Sequence, residues 1–121
     1  MTQHSELPIL PFQNQAAFAV WMQANHASTA GLWIQMAKKS SGLASITHDE
    51  ALDVALCYGW IDSLRRGQDE TYFLQKFTPR RTGSAWSARN IATVHELIKA
   101  GRMQPSGFTE IERAKREGRW V

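Results

Sequence analysis

Apolar and polar positions alternate along this chain with two different periods, and the changes of period mark the elements. Phe18, Trp21 and Met22 recur at helical spacing, so the pattern predicts a helix over Gln15 to Asn25, capped by Asn14 and entered past Pro11. Leu32 to Ala37 reads as a strand, followed by a basic, flexible loop from Lys38 to Gly42. Thr47 and Glu50 have the spacing of a capping box, which starts a second helix near His48. That helix runs to about Tyr58, with Gly59 as the left-handed stop. Between Ala51 and Cys57 only Asp53 is polar, so this helix is expected to be buried on more than one side and central. Trp60 to Arg66 and Thr71 to Thr78 read as strands joined by the turn Gly67-Gln68-Asp69-Glu70, an antiparallel hairpin that Pro79 ends. Phe73, Gln75 and Phe77 share one face of the second of these strands. A loop over Arg80 to Gly83 leads to a third helix from about Ser87 to Ala100, with Ile91, Val94, Leu97 and Ile98 as its stripe and Gly101 as its stop. A fourth helix opens at Pro105, carries Phe108, Ile111 and Ala114 inward, and stops at Gly118.

The order α-β-α-β-β-α-α predicts an α+β domain with a small, largely antiparallel sheet of about three strands covered by about four helices. With 121 residues there is room for one domain, with a core of about residues 12–120, and not for two. A single cysteine, Cys57, excludes an intrachain disulfide and a thiolate metal cluster. No apolar run approaches the length of a membrane-spanning helix, so membrane insertion is not expected. Met1 to Phe12 lacks the basic and apolar regions of a signal peptide, so a cytoplasmic location is expected. Five tryptophans are many for this length; they read either as framework side chains or as the lining of a pocket.

Charge changes the picture in one place. The net charge is +3, and no Asp, Glu, Lys or Arg occurs between Leu7 and Ala37. Between Thr71 and His95 there are Lys76, Arg80, Arg81 and Arg89 and no acid. The segment Arg80, Arg81, Ser84, Trp86, Ser87 and Asn90 sets arginines, hydroxyls and an indole at a helix start, where free backbone N–H groups favour anions. The bland reading is that a serine caps the helix and Trp86 fills the core. Lys38 and Lys39 join the patch if the first strand ends nearby. Cys57 sits at a helix C-terminus, where the dipole opposes a thiolate, and reads as a core residue. His95-Glu96 begins like a zinc-protease helix, but Lys99 stands where the second histidine belongs. The four histidines are scattered and no phosphate-binding glycine pattern occurs, so neither metal nor cofactor is expected, and no catalytic residue is assigned.

Several strings together resemble the bacterial family of bacteriocin-protection, YdeI or OmpD-associated proteins. They are Gly31-Leu32-Trp33 with Lys38-Lys39, Ala55 to Asp62, Phe77 to Arg81, Ser84 to Ser87, Asn90, Gly101-Arg102-Met103 and Gly118-Arg119-Trp120. The resemblance runs from about Phe12 to Trp120 and implies a role in stress response or antimicrobial resistance, with no established reaction. Family members carry a further helical segment, so this chain resembles their N-terminal part. The resemblance adds Trp60 and Asp62 to the candidate residues, with Asp62 expected to pair with Arg80 or Arg81 across the sheet. The resulting expectation is a non-enzymatic protein that binds a small anion or an acidic protein surface. A cationic peptide fits badly, because like charges repel. The alternatives are a nucleic-acid-binding module, with Trp86 or Phe77 stacking on bases, and a small enzyme with a Trp-lined pocket. The enzyme needs Arg80 or Asp62 beside Cys57 or a histidine.

Overall fold

The computed structural model describes residues 7–120; residue 121 and residues 1–6, the latter part of the stretch read for a leader, lie outside them. The chain is α+β, with the strands β1 (Ile9–Pro11), β2 (Leu32–Ala37), β3 (Trp60–Gly67) and β4 (Tyr72–Pro79) in one mixed sheet. Its helices are α1 (Gln15–Asn25), α2 (His48–Cys57), α3 (Ala88–Lys99) and α4 (Pro105–Arg116). The spatial order is β1-β2-β4-β3, with β4 antiparallel to both neighbours and β1 parallel to β2. The sheet therefore has four strands where about three were expected. The missed β1 is three residues long and closes on a proline, which an edge position tolerates. The basic loop after β2 contains a 3-10 turn, Lys39–Ser41, closed by Gly42 at a φ of +71°.

Local chemistry sets the helix ends. Asn14 accepts from the Ala17 N–H at 2.9 Å, and Thr47 and Glu50 bond reciprocally at the start of α2. Ser87 accepts from the Asn90 N–H at 3.0 Å and so caps α3. Gly59 turns the chain from α2 into β3 at a φ of +81°.

Two apolar clusters share α2 between them. In the first, Phe18 and Met22 of α1 meet Leu32, Ile34 and Met36 of β2, Phe77 of β4 and Ala51, Val54 and Ala55 of α2. In the second, Leu56 and Cys57 meet Trp86, Ile91, Val94 and Leu97, with Ile111 and Ala114 of α4. Leu52 and Tyr58 pack against both, which gives α2 the central place its apolar sequence predicts. In α4 the inward stripe is Gly107, Ile111 and Ala114, whereas Phe108 is 41% exposed. The helix is rotated so that Gly107 meets the Cys57 carbonyl, an approach a side chain would block.

The register divides the sheet residues between two faces. Leu32 pairs with Phe77, Ile34 with Gln75 and Met36 with Phe73, and this inner face carries α1 and α2. Trp33 pairs with Lys76 and Gln35 with Leu74 on the outer face, and β1 adds the exposed Ile9 beside Trp33. A bulge in β3 sets two residues, Ser63 and Leu64, opposite Lys76. Gln75 supports it from within: its Nε2 donates to the Ser63 and Leu64 carbonyls at 3.3 and 3.1 Å.

Candidate functional site

Of the basic segment after β4, most side chains hold one another. Arg80 is only 6% exposed. Its Nη1 donates to Ser84 Oγ at 2.9 Å and to the Ala85 carbonyl at 3.0 Å, and its guanidinium lies 3.5 Å from the Trp86 ring centroid. Burial pulls its pKa down to about 10; nearby Glu110 and Asp62 oppose that shift and Arg119 adds to it. Its Nε and Nη2 are buried and find no hydrogen-bond partner among the described residues. Arg119 donates to the Ser84 carbonyl, and Trp86 stands edge-on to Trp120 at 5.1 Å, with the Lys115 ammonium 5.7 Å above Trp120. Ser87 is occupied as a cap, and Asn90, half-buried, follows it in the first turn of α3. Arg80, Ser84, Trp86 and Ser87 thus form the anchor of a loop, and Arg81 is the exposed cation of the set.

Three expected associations differ from the structure. Asp62 pairs with neither Arg80 nor Arg81; its Oδ2 is 2.8 Å from His48 Nε2, because the register sets Asp62 on the inner face beside Phe77, where α2 begins. Lys38 and Lys39 lie at the far end of the sheet from the 80–90 loop. Lys38 bonds through its backbone N–H to Thr71 and through Nζ to the Asp69 carbonyl, roughly 23 Å of strand from Pro79. Trp60 is 1% exposed and belongs to the core. Cys57 is buried, and burial pushes its thiol up to about 11, so it is no ready nucleophile. Among the described residues no three of His, Cys, Asp and Glu converge on a point that could hold a metal ion.

Cations do converge on the outer face of the sheet. Two shallow grooves of about 440 and 500 Å³ flank a ridge formed by Lys76, Thr78 and Arg81. Ile61, Ser63, Leu64 and Thr82 line one of them, and Leu7 and Ala30 the other; among the described residues neither contains a carboxylate. Further along the face the Arg66 guanidinium lies 4.5 Å and the Lys76 ammonium 5.7 Å from the Trp33 ring centroid. Trp33 and Arg66 were missed in the sequence because their place beside Lys76 depends on the strand register and on the bulge. The alternation in each strand was the available signal.

The inner face leaves a second opening where α2 begins. A cleft of about 520 Å³ lies between the loop after β2, the start of α2 and the ends of β3 and β4. His48, Arg65, Lys38 and Lys39 are among its lining residues, with Asp62 behind His48.

No curated protein and no solved structure matches the chain. A family profile described as Domain of unknown function (DUF8412) matches residues 10–110, most of the sheet and three of the four helices entire. The chain belongs to that family.

Proposed function

We propose that this protein acts by binding, and that the outer face of its sheet docks an acidic surface of a partner protein. One observation carries the reading: Arg66, Lys76 and Arg81 share this face with no carboxylate among its described strand residues, around the apolar side chains of Ile9, Trp33 and Leu64. Like-signed charges without neutralising partners favour an oppositely charged surface, and half-exposed apolar groups between them supply area to desolvate. The grooves are open and shallow, which suits an extended partner better than a small enclosed anion. The nucleic-acid reading loses its support, because Phe77 and Trp86, the rings it relied on for stacking, are both buried. An enzymatic reading centred on Cys57 loses its nucleophile to burial, while the other pairing it allowed, Asp62 beside a histidine, is present at His48.

The tolerance of stress or antimicrobial agents implied by the resemblance belongs to the same proposal, with the acidic partner as its means. The same proposal sets the action in the cytoplasm. The direct test is an amide-shift map recorded while an oligoglutamate peptide is added. Shifts concentrated at Trp33, Arg66, Lys76 and Arg81 support the proposal. A map confined to the Ser87–Asn90 turn or to the cleft by His48 overturns it.

A further inference from the structure

The cleft on the inner face is built differently from the outer grooves. Met36, Ile46 and Phe73 give it apolar walls, and Lys39, His48 and Arg65 stand around them. Ser45 fixes the loop that closes one side: its Oγ accepts from the Ala37 N–H at 2.9 Å and donates to the Ile46 carbonyl. Asp62 holds the His48 ring through Nε2. The bulge decides that Arg65 is here at all. Without the extra residue at Ser63–Leu64, strand alternation would put Arg65 on the outer face and Arg66 on the inner one. Gln75 Oε1 accepts from Arg65 Nε at 3.2 Å, and the guanidinium lies 4.6 Å from the Phe73 ring centroid. Neither Arg65 nor Lys39 has an ion-pair partner among the described residues. Among the described residues no carboxylate lines the cleft.

We propose that this cleft binds a small organic anion, a carboxylate or phosphate monoester on a flat apolar body. The anionic group meets Arg65 and Lys39, and the body lies against Phe73 and Met36. The Arg65 guanidinium, held through Nε, has no hydrogen-bond partner for its Nη donors among the described residues and presents the fork that carboxylate and phosphate oxygens accept. The volume of about 520 Å³ lies within the range of small-molecule sites. Because this cleft and the outer grooves lie on opposite faces, binding at either is independent of the proposal for the other.

Benzoate, phenyl phosphate and the neutral benzyl alcohol serve as probes in titrations followed by amide shifts. The expected result is a saturable response at Ala37, Ser45, His48 and Phe73 with benzoate or phenyl phosphate, whichever the donor set prefers. Benzyl alcohol binds at least about tenfold more weakly. Arg65→Met weakens the anion by about tenfold or more. Arg65 also supports the bulge, so Lys39→Met, at an exposed position, is the second variant and weakens binding with the fold intact. The proposal is overturned by an absence of saturable shifts with both anions, by equal binding of benzyl alcohol, by affinities unchanged in both variants, or by shifts confined to Lys76 and Arg81.

Discussion

Gln75 Oε1 accepts a hydrogen bond from Arg65 Nε at 3.2 Å across the β3–β4 pair, while the same amide's Nε2 reaches the two carbonyls of the bulge. One buried glutamine therefore holds the irregularity that sends Arg65 inward and Arg66 outward. Gln75→Leu keeps the volume and leaves those carbonyls and the arginine without their partner. A loss of about 1–3 kcal/mol is expected in urea denaturation. An unchanged midpoint would show that the bulge stands without Gln75.

Arg80 behaves as a buried structural group, so its substitutions should rank by shape and desolvation and not by charge. Arg80→Ala is expected to cost about 2–4 kcal/mol, since it empties the space beside Trp86 and releases Ser84 and Ala85. Arg80→Met costs less, because it fills the space and removes a buried charge whose Nε and Nη2 lack partners among the described residues. Arg80→Lys keeps a charge that cannot copy the fork and falls below Met. Equal stability of all three variants in thermal denaturation would make Arg80 a surface cation after all.

Gly107 sets how closely α4 approaches the end of α2. A Cβ at that position runs into the Cys57 carbonyl oxygen and the Met103 sulfur. The methionine can turn aside but the backbone oxygen cannot, so Gly107→Ala is expected to cost about 3 kcal/mol. Gly101→Ala is the control: its φ is +72° and its surroundings are open, so the cost is about 1 kcal/mol of backbone strain alone. Equal costs for the two variants in denaturant titrations would contradict the close approach.

Cys57 gives a pH dependence of defined sign. Burial raises its pKa from about 9 to about 11, so the unfolded chain ionises first as pH rises. Its contribution to stability is whole below about pH 9 and is lost as pH rises through about 11. Stability measured against pH should fall more steeply in the wild type than in Cys57→Ala over this window. Iodoacetamide at mildly alkaline pH should modify the thiol only when denaturant is added. Rapid labelling of the native protein would contradict the burial.

Caps and turns were legible in the sequence because they are local: Asn14, Thr47 with Glu50, Ser87 and Gly59 act on groups a few residues away. Pairings between distant segments were not. Arg80 and Arg81 are neighbours in a basic string, yet one is buried against Trp86 and the other exposed, and only the exit of β4 past Gly59 decides which. Lys38 and Lys39 lie a strand's length away from them, and no local signal reports that length. Asp62 found His48 and not an arginine, for the register sets which face it joins. Gln75 did carry a usable signal. A glutamine alternating inward with Phe73 and Phe77 needs buried hydrogen-bond partners, and strand carbonyls left open by a bulge are such partners.

On the proposed reading the outer face, through Arg66, Lys76 and Arg81, recognises an acidic protein surface. Fluorescence anisotropy at low salt, with a labelled oligoglutamate peptide and a labelled single-stranded oligothymidylate run side by side, tests it most directly. The expected result is that the peptide binds, that binding weakens as salt screens the charges, and that Lys76→Glu with Arg81→Glu reduces it by at least about tenfold more than the same charge change on the helices, Lys99→Glu with Arg116→Glu. Peptide binding that survives the Lys76 and Arg81 reversals, or oligothymidylate bound more tightly than the peptide, would contradict it.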